Sequence, residues 1–470
     1  MWRSVRAVRA GSIATAFVLL ATGCSVHNIP VNEPLNAPLA AIVAEQNAPP
    51  LAEADEHIVV LSFSGGGTRA AAYSFGVLRG LDRFQIATTR GPQPMLDEVD
   101  FVSGVSGGSI TAAYFGLKKR AALLDFRERF LLKNVESDAL STSITPGNLV
   151  RGLSGGVNDA THLPRWLSQN LFDGATFSAY AAQARPRVLI NAADIFNRTP
   201  FVFSHTAFSV MCSDLNRYPI ADAVASSAAV PIAFAPIVIE SYAGKCAAPL
   251  PDWVIKARNN PNAPPLLRST ALALASYHNG SVRYVKLLDG GLVDNYGLSG
   301  FTIARLSAST PFEPLTPHQA VKLRRALFLV VDAGRAAVGD WVNTLEGPRG
   351  ADLVSAAADT AIDASVRASY TAFEQTMEEW RQQMVRWRCG LNAEQRRQYG
   401  VPARWNCRDV RFFIGRVGFD QIGGQREQYL NKVKTTLQLP QDQVDEVIAA
   451  GDESVTNSDV LRRFLDSTRR

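Results

Sequence analysis

The stretch SGVSGGS, residues 103–109, places a serine among glycines directly after the apolar run VDFV. Ser106 has Gly104 two positions before it and Gly108 two positions after it, which gives the pattern G-x-S-x-G. This pattern is typical of a serine nucleophile held on a tight turn between a strand and a helix. A five-residue pattern is common, so the interpretation needs support from other parts of the chain.

Short apolar runs alternate with helical patterns on both sides of this turn. The predicted strands are HIVVLSFS (57–64), VDFVSG (99–104), PRVLINAAD (186–194), PFVFSH (200–205), RYVKLLD (283–289) and ALFLVVDAG (326–334). The predicted helices include residues 65–81, 109–126 and 222–230. Such alternation predicts a three-layer α/β/α fold with a mostly parallel central sheet. In these sheets functional groups gather at the carboxyl ends of strands, where Ser106, the glycines at 65–67 and Asp289 lie.

The chain changes character after residue 335. Residues 352–388 contain no proline or glycine and predict one long helix. Its apolar stripe consists of Ile362, Val366, Tyr370, Phe373, Met377, Trp380, Met384 and Trp387. We expect the stripe to pack on the body of the protein; the alternative is a membrane-facing surface, because tryptophan favours membrane interfaces. Residues 249–267 are expected to form a surface loop.

The first 24 residues form a separate segment. Arg3, Arg6 and Arg9 precede an apolar stretch of 14 residues, shorter than the ~20 that a transmembrane helix needs. The stretch ends in L-A-T-G-C, which resembles the lipobox of bacterial lipoprotein signal peptides, with Ala21 in place of the usual leucine. The resemblance implies that Cys24 is acylated and becomes the new N-terminus. The alternative is plain secretion with cleavage near A-T-G.

Two expectations follow for the mature protein. Ser25 comes directly after the cysteine, which by the usual sorting rule implies the outer membrane of a bacterial cell envelope. Residues 24–56 show little periodicity and contain Pro30, Pro34, Pro38, Pro49 and Pro50. They are therefore expected to form an extended tether between the lipid anchor and the folded body.

The composition excludes some classes of protein. The net charge is +5 over 470 residues, and no basic patch with interleaved aromatics indicates a nucleic-acid partner. Besides Cys24 there are four cysteines, which an oxidising compartment allows to pair in three ways. We favour Cys212–Cys246 and Cys389–Cys407, because both pairs close short local loops. No C-x-x-C motif or Cys/His cluster indicates a metal site.

A serine hydroxyl needs a base before it becomes a good nucleophile. The histidines are His27, His57, His162, His205, His278 and His318. Among them His205 remains a candidate base, since it is predicted to end a strand. Asp289 is the better candidate, because in KLLDGGLVDNYGL it follows an apolar strand and precedes two glycines that let the backbone approach closely.

The stretch SGGGTR, residues 64–69, ends a strand and begins a helix. Its unpaired N–H groups, aided by the helix dipole, are suited to stabilise a developing oxyanion. Gly65, Gly67 and Ala70 also fit a loosened dinucleotide-binding pattern, but the next strand ends in glycine and serine rather than in an acidic residue. A phosphate-binding loop is disfavoured because no Gly-Lys-Ser/Thr follows.

Four blocks occur in the order found in the patatin-like phospholipase family, and the chain resembles that family over roughly residues 57–335. The blocks are GGGTR (65–69), GVSGG (104–108), ADAVASSAAVPIAFAPI (221–237) and DGG (289–291). The resemblance implies that Ser106 is the nucleophile, that Asp289 is its base, and that no metal or cofactor is needed. It assigns Gly65, Gly66, Gly67 and Arg69 to the oxyanion loop, in which the backbone N–H groups act and Arg69 positions the loop.

These observations divide the chain into a signal peptide (1–23), a tether (24–56), a catalytic domain (57–335) and a largely helical C-terminal extension (336–470). The resemblance and the anchor together imply a serine acyl hydrolase of membrane lipids, of the phospholipase A or lysophospholipase type, with a Ser-Asp dyad. Three alternatives remain open: an acyltransferase that uses the same acyl-enzyme, a Ser-His-Asp esterase, and a binding lipoprotein without catalysis.

Overall fold

A computed structural model of the chain describes residues 28–38, 41, 56–139, 156–183, 185–231, 233–337 and 339–469. The predicted signal peptide, Cys24 and most of the predicted tether lie outside these residues. The strands are β1 (His57–Phe63), β2 (Gln85–Thr88), β3 (Gly91–Pro94), β4 (Phe101–Val105), β5 (Arg187–Asp194), β6 (Thr199–Val202), β7 (Ile237–Glu240), β8 (Tyr284–Asp289), β9 (Arg325–Asp332) and β10 (Arg411–Gly418).

The helices lie between and after these strands. They are α1 (Gly67–Leu81), α2 (Gly107–Lys118), α3 (Ala122–Phe126), α4 (Val135–Ala139), α5 (His162–Leu167), α6 (Ser178–Ala181), α7 (His205–Val210), α8 (Ile220–Ser227), α9 (Asp252–Asn259), α10 (Pro265–His278), α11 (Gly291–Asp294), α12 (Ser299–Leu306), α13 (Pro317–Lys322), α14 (Ala351–Cys389), α15 (Ala393–Gln398), α16 (Gly424–Lys432), α17 (Gln441–Thr456) and α18 (Asp459–Thr468). None of the helices in the described residues is long and apolar enough to cross a membrane.

Within the described residues the main sheet has eight strands in the order β10-β9-β1-β4-β5-β8-β7, with β6 paired to β5. The five strands from β10 to β5 are parallel, whereas β8 is antiparallel to both β5 and β7. Strands β2 and β3 form a separate hairpin. The predicted α/β class and mostly parallel sheet are confirmed.

Alternate residues of the central strands face two layers of the core. In β1, Val59, Leu61 and Phe63 pack on one face with residues of α1, α2 and α17. Ile58 and Val60 pack on the other face with residues of α13 and α14. Because both faces are covered by helices, the strands are apolar throughout, which is why they appear in the sequence as continuous apolar runs.

The long helix α14 confirms the prediction over residues 352–388, and its stripe packs on the body. Phe373, Met377, Trp380 and Met384 are buried in the core layer shared with β9 and β10. Trp387 is partly buried and contacts the rings of Phe312 and Tyr399. The membrane-facing alternative for the two tryptophans is therefore wrong.

Several predictions made from local patterns differ from the structure. Residues 249–267 contain α9 and the start of α10 instead of a loop. Strand β6 ends at Val202, so His205 begins α7 and does not end a strand. The part of the chain after residue 335 is largely helical, but it also supplies β10, which pairs with β9 along its whole length. The run RFFIGRVG (411–418) carried the signal for this strand.

Two disulfides form as the short-loop argument favoured. Cys212 pairs with Cys246, with their Cα atoms 5.5 Å apart, and Cys389 pairs with Cys407, with their Cα atoms 5.0 Å apart. The second disulfide links the end of α14 to the segment before β10, so it ties the long helix to the edge of the sheet.

Candidate active site

Ser106 occupies the turn between β4 and α2. Its φ angle is +51°, a conformation that is costly for a residue with a side chain, and only 6% of the residue is exposed. The Ser106 N–H donates to the Ser227 hydroxyl at 2.9 Å, and the Ser106 carbonyl accepts from the Ser109 hydroxyl at 2.6 Å. These bonds on both sides of the serine hold the strained backbone in place.

The glycines around Ser106 are required by close packing. A Cβ at Gly104 would lie 2.6 Å from the Cα atom of Ser109, inside the tight turn. A Cβ at Gly107 would clash with the carbonyl of Gly67, and one at Gly108 would clash with the carbonyls of Ser64 and Phe63. The first turn of α2 therefore packs directly on the backbone that leads into α1.

Asp289 reaches Ser106 through the register of three strands. Val105 of β4 pairs with Asn191 of β5, and the next residue of β5, Ala192, pairs with Asp289 at the end of β8. Because adjacent strands lie ~4.8 Å apart, the backbones at Ser106 and Asp289 are about 10 Å apart with β5 between them. Their side chains close this gap, since the Ser106 hydroxyl is near enough to the Asp289 carboxylate to help lower its pKa.

The Asp289 carboxylate is buried, and this changes its acidity. Burial raises the pKa of Asp289 to about 6, although hydrogen bonds from the Gly291 N–H and the Ser106 hydroxyl oppose that rise. The Gly291 N–H lies 2.8 Å from Oδ1. A carboxylate with this pKa is mostly ionised at neutral pH and is a stronger base than an ordinary aspartate.

Ser227, at the end of α8, links the two halves of the site. Its hydroxyl accepts from the Ser106 N–H and donates to the Asn191 carbonyl at 2.6 Å. The Ser227 carbonyl accepts from the Gly290 N–H at 3.1 Å. The Ala229 carbonyl, two residues further along the chain, accepts from the Asp289 N–H at 2.9 Å. The small-residue helix predicted at 222–230 thus fastens the serine turn to the aspartate strand.

Residues Gly65–Gly67, here called the glycine loop, lie beside Ser106. A Cβ at Gly65 would lie 3.3 Å from the Ser106 Cβ, and Gly66 and Gly67 have φ angles of +139° and +60°. The Gly65 N–H donates to the Asn295 carbonyl at 3.1 Å. The N–H groups of Gly66 and Gly67 form no hydrogen bond within the described part of the chain, as expected at the start of a helix.

Arg69 is buried in the first turn of α1, directly after the glycine loop. Its Nε donates to the Ala333 carbonyl at 2.9 Å, and its Nη1 donates to the Val433 carbonyl and the Thr435 hydroxyl, each at 2.8 Å. Burial lowers the pKa of Arg69 to about 9. All of these partners belong to the protein body, which is the bonding expected of a side chain that positions the loop.

Sequence reasoning missed the residues that support the reacting groups. The Thr436 carbonyl accepts the Thr68 N–H at 2.8 Å and would clash with a Cβ at Gly67. The Asn295 side-chain amide packs against both Gly65 and Gly291. A Cβ at Gly65 would clash with the Asn295 Oδ1, and a Cβ at Gly291 would lie 2.8 Å from the same atom. The motif DNYG after DGG was the available signal for Asn295, whereas Thr436 had none.

Three histidines, His57, His278 and His318, have contacts outside this cluster. The His57 ring contacts the Ala87 carbonyl at 2.7 Å, the His278 ring contacts the Ala248 carbonyl at 3.1 Å, and His318 packs against Tyr399. His205 lies in the first turn of α7. The side chain that shifts the pKa of Asp289 is Ser106, and no histidine of the described residues is among the causes.

Comparisons with known proteins agree with this geometry. The family model for patatin-like phospholipases matches residues 61–302, which is half of the chain and includes the glycine loop, Ser106 and Asp289. A search of curated protein sequences finds no match.

Solved structures with similarity to the chain include two proteins of low sequence identity. One is VipD from Legionella pneumophila, with 13% identity, a TM-score of 0.31, and coverage of 89% of this chain and 68% of that chain. Another is human GIVD cytosolic phospholipase A2, with 12% identity, a TM-score of 0.40, and coverage of 93% of this chain and 66% of that chain. With the family match over residues 61–302 and the fold described above, the chain belongs to the patatin-like phospholipase family of lipid hydrolases.

Proposed function

We propose that the chain is a serine acyl hydrolase of membrane phospholipids or lysophospholipids, with Ser106 as nucleophile and Asp289 as the general base. The observation that carries the proposal is that the Ser106 hydroxyl lies near enough to the buried Asp289 carboxylate to lower its pKa, beside a loop in which the Gly66 and Gly67 N–H groups form no hydrogen bond within the described residues. A nucleophile, a base and oxyanion donors are the parts that acyl transfer requires.

In the first half of the reaction, the Ser106 Oγ attacks the ester carbonyl carbon while Asp289 takes its proton. The carbonyl oxygen becomes an oxyanion, which the N–H groups of Gly66 and Gly67 stabilise. The bond from the carbon to the alcohol oxygen then breaks, and protonated Asp289 gives its proton to the leaving alkoxide. The products of this half are an acyl-serine and a free alcohol, for example a lysophospholipid.

In the second half, water replaces the alcohol. Asp289, again ionised, takes a proton from the water as its oxygen attacks the acyl carbon. The second oxyanion collapses, the bond to Ser106 breaks, and the serine oxygen recovers the proton held by Asp289. The released product is a fatty acid, and each residue returns to its starting protonation state.

The membrane location is part of the proposal. Lipidation of Cys24 would anchor the enzyme to the outer membrane of a bacterial cell envelope, next to a supply of phospholipid.

The test is release of fatty acid from defined phospholipids and lysophospholipids by the purified protein. We expect Ser106→Ala and Asp289→Asn each to lower the rate by at least about 10³-fold, and His205→Ala to leave it within about twofold. Products formed with a labelled acceptor alcohol distinguish transfer from hydrolysis. Full activity in Asp289→Asn, or its loss in His205→Ala, would contradict the dyad and favour the Ser-His-Asp alternative.

A further inference from the structure

Residues 28–38, here called the docking segment, are fastened to the body of the protein although they lie within the predicted tether. Asn32 is buried: its Nδ2 donates to the Ser213 hydroxyl at 2.9 Å and to the Glu240 carbonyl at 2.8 Å. Its Oδ1 accepts from the Glu240 N–H at 2.9 Å, and its carbonyl accepts from the Tyr242 hydroxyl at 2.7 Å. A free tether would not form such a set of bonds.

The bonds continue to the first residue of the docking segment. The Asn28 Nδ2 donates to the Pro236 carbonyl at 2.5 Å, and the Asn28 Oδ1 accepts from the Ala160 N–H at 3.2 Å. The chain is therefore held at residue 28, which is four positions after Cys24 in the sequence and not at the end of the predicted tether.

This point of attachment lies close to the candidate active site. Ile237 of β7 pairs with Leu287 of β8, so Pro236 lies level with Leu288, the residue before Asp289. With a strand spacing of ~4.8 Å and the reach of one side chain, Asn28 lies within about 15 Å of Asp289. Four residues span at most ~14 Å when fully extended, so Cys24 cannot move far from this edge of the molecule.

We propose that the docking segment holds lipidated Cys24 beside the active site, so that anchoring turns this edge of the protein towards the bilayer. The inference rests on the proposed function and on acylation of Cys24. Apolar side chains at the same edge fit a lipid surface: Ile29 is 81% exposed and Val230, on the segment between Ala229 and Pro236, is 44% exposed. The short connection between Cys24 and residue 28 then keeps the active site facing the lipid that it hydrolyses.

The chain offers a matched control for position. Leu124 is 82% exposed, nearly the same as Ile29. It follows α2, which begins next to Ser106 and runs for 12 residues, or ~18 Å, away from the site. Ile29 and Leu124 are thus equally exposed apolar residues, one near the site and one in α3, which follows the far end of the helix that leaves it.

The first experiment measures orientation. The full-length lipoprotein is reconstituted in phosphatidylethanolamine–phosphatidylglycerol vesicles with an environment-sensitive fluorescent amino acid at position 29 or at position 124. We expect the emission at position 29 to shift to the blue on reconstitution and the emission at position 124 to stay unchanged. An equal or larger shift at position 124, or a Cys24 that carries no acyl group by mass spectrometry, overturns the inference.

The second experiment measures the consequence for lipid hydrolysis. A flexible Gly/Ser insertion of about twenty residues between Val26 and His27 lengthens the connection between Cys24 and the docking segment. The same insertion between Glu45 and Gln46 lies after the docking segment and leaves that connection unchanged. We expect the first insertion and Ile29→Asp each to lower hydrolysis of vesicle phospholipid about fivefold, with hydrolysis of a monomeric short-chain ester unchanged. The second insertion and Leu124→Asp should change neither rate. Equal effects of the two insertions overturn the inference.

These readouts separate the inference from the proposed function. Ser106→Ala should retain the blue shift at position 29 because orientation does not need catalysis. Loss of ester hydrolysis in Ser106→Ala supports the proposed function, whatever the fluorescence shows. If Ser106→Ala still hydrolyses the ester, the proposed function fails, while the fluorescence and the two insertions still decide the orientation.

Discussion

The family-matched region, residues 61–302, and the C-terminal segment 433–436 both contact the glycine loop, but in different ways. The first supplies the loop itself together with Ser106 and Asp289. The second supplies only acceptors: the Val433 and Thr436 carbonyls and the Thr435 hydroxyl receive hydrogen bonds from Arg69 and Thr68. The comparison indicates that the oxyanion loop depends for its shape on a part of the chain more than 350 residues away.

The two regions are also packed together along their helices. α17 crosses α1 where glycines allow close approach: a Cβ at Gly76 would clash with the Ile448 carbonyl, and one at Gly451 would clash with the Tyr73 carbonyl. The Tyr73 hydroxyl bonds to the Ser454 hydroxyl at 2.7 Å. The helix that begins at the glycine loop is therefore clamped by the C-terminal region, and changes at their contacts should act on catalysis.

The largest effect is expected at the contact between Gly67 and Thr436. Gly67→Ala would place a methyl group against the Thr436 backbone carbonyl, which cannot move aside. The glycine loop must therefore shift, and its N–H groups no longer point at the oxyanion. We expect ester hydrolysis to fall about 10²–10³-fold, the effect of losing an oxyanion donor. Gly424→Ala is the control, since Gly424 has a φ of +62°, close to the +60° of Gly67, but open space around it.

Gly424→Ala should retain full activity and cost about 1–2 kcal/mol of stability, which is the cost of the left-handed backbone alone. If both substitutions lower activity equally, the contact with Thr436 is irrelevant and backbone strain explains the result.

A smaller effect is expected for Arg69→Lys. An ammonium group cannot replace the three directed hydrogen bonds of the guanidinium, so buried carbonyls lose their donor. We expect a loss of about 1–3 kcal/mol in unfolding free energy and about tenfold in kcat/KM. Arg79→Lys, at an exposed position on the same helix, should stay within about 0.5 kcal/mol of the wild type. Unchanged activity in Arg69→Lys would show that the loop keeps its shape without this link.

Within the matched region, Ser227 tests whether one hydroxyl couples the serine turn to β5. Ser227→Ala removes the acceptor of the Ser106 N–H and a donor to the Asn191 carbonyl, which costs about 1–2 kcal/mol. The rate should fall several-fold while the pH dependence keeps its shape. Ser226→Ala is the matched control: this neighbour is equally buried, but its hydroxyl donates to the Asp222 carbonyl within its own helix. Equal rates for the two variants would refute the coupling.

The remaining prediction is a gain in stability, with no gain in activity, at Asp289. Because burial raises its pKa to about 6, the folded protein binds this proton more tightly than the unfolded chain. The stability that this group contributes therefore falls as the pH rises from about 4 to about 6. Asp289→Asn removes the cost of burying the charge, so inactive protein should gain about 3 kcal/mol at pH 8 and none at pH 4. Thermal unfolding at the two pH values measures it, and a loss of stability at pH 8 would contradict the assigned pKa.

The candidate reacting groups could be selected from the sequence because each lies in a local pattern. Ser106 and Asp289 follow apolar strands and lie next to glycines that the structure shows to be sterically required. The alternation of strands and helices likewise predicted the sheet, since its strands are buried on both faces.

What the sequence did not predict depends on contacts between distant residues. β10 and the acceptors at 433–436 are defined by what they pair with, and nothing local marks Thr436 as a neighbour of Gly67. Asn32 likewise lies in a proline-rich stretch that indicates a tether, although its buried amide fixes that stretch to β7. The sequence predicted the small-residue helix that contains Ser227, but the hydrogen bond between Ser227 and Ser106 depends on the packing of distant elements.

The central claim is that Asp289 takes the proton from Ser106, and the most direct measurement is the rate at which a fluorophosphonate phosphonylates the enzyme, with loss of fluoride, as a function of pH. For the wild type we expect modification at Ser106 alone, with a rate that rises through a single titration near pH 6 and then levels off. Asp289→Asn should react at least about 10²-fold more slowly, with no titration near pH 6. A wild-type pH profile that survives in Asp289→Asn, or modification of a residue other than Ser106, would contradict the account.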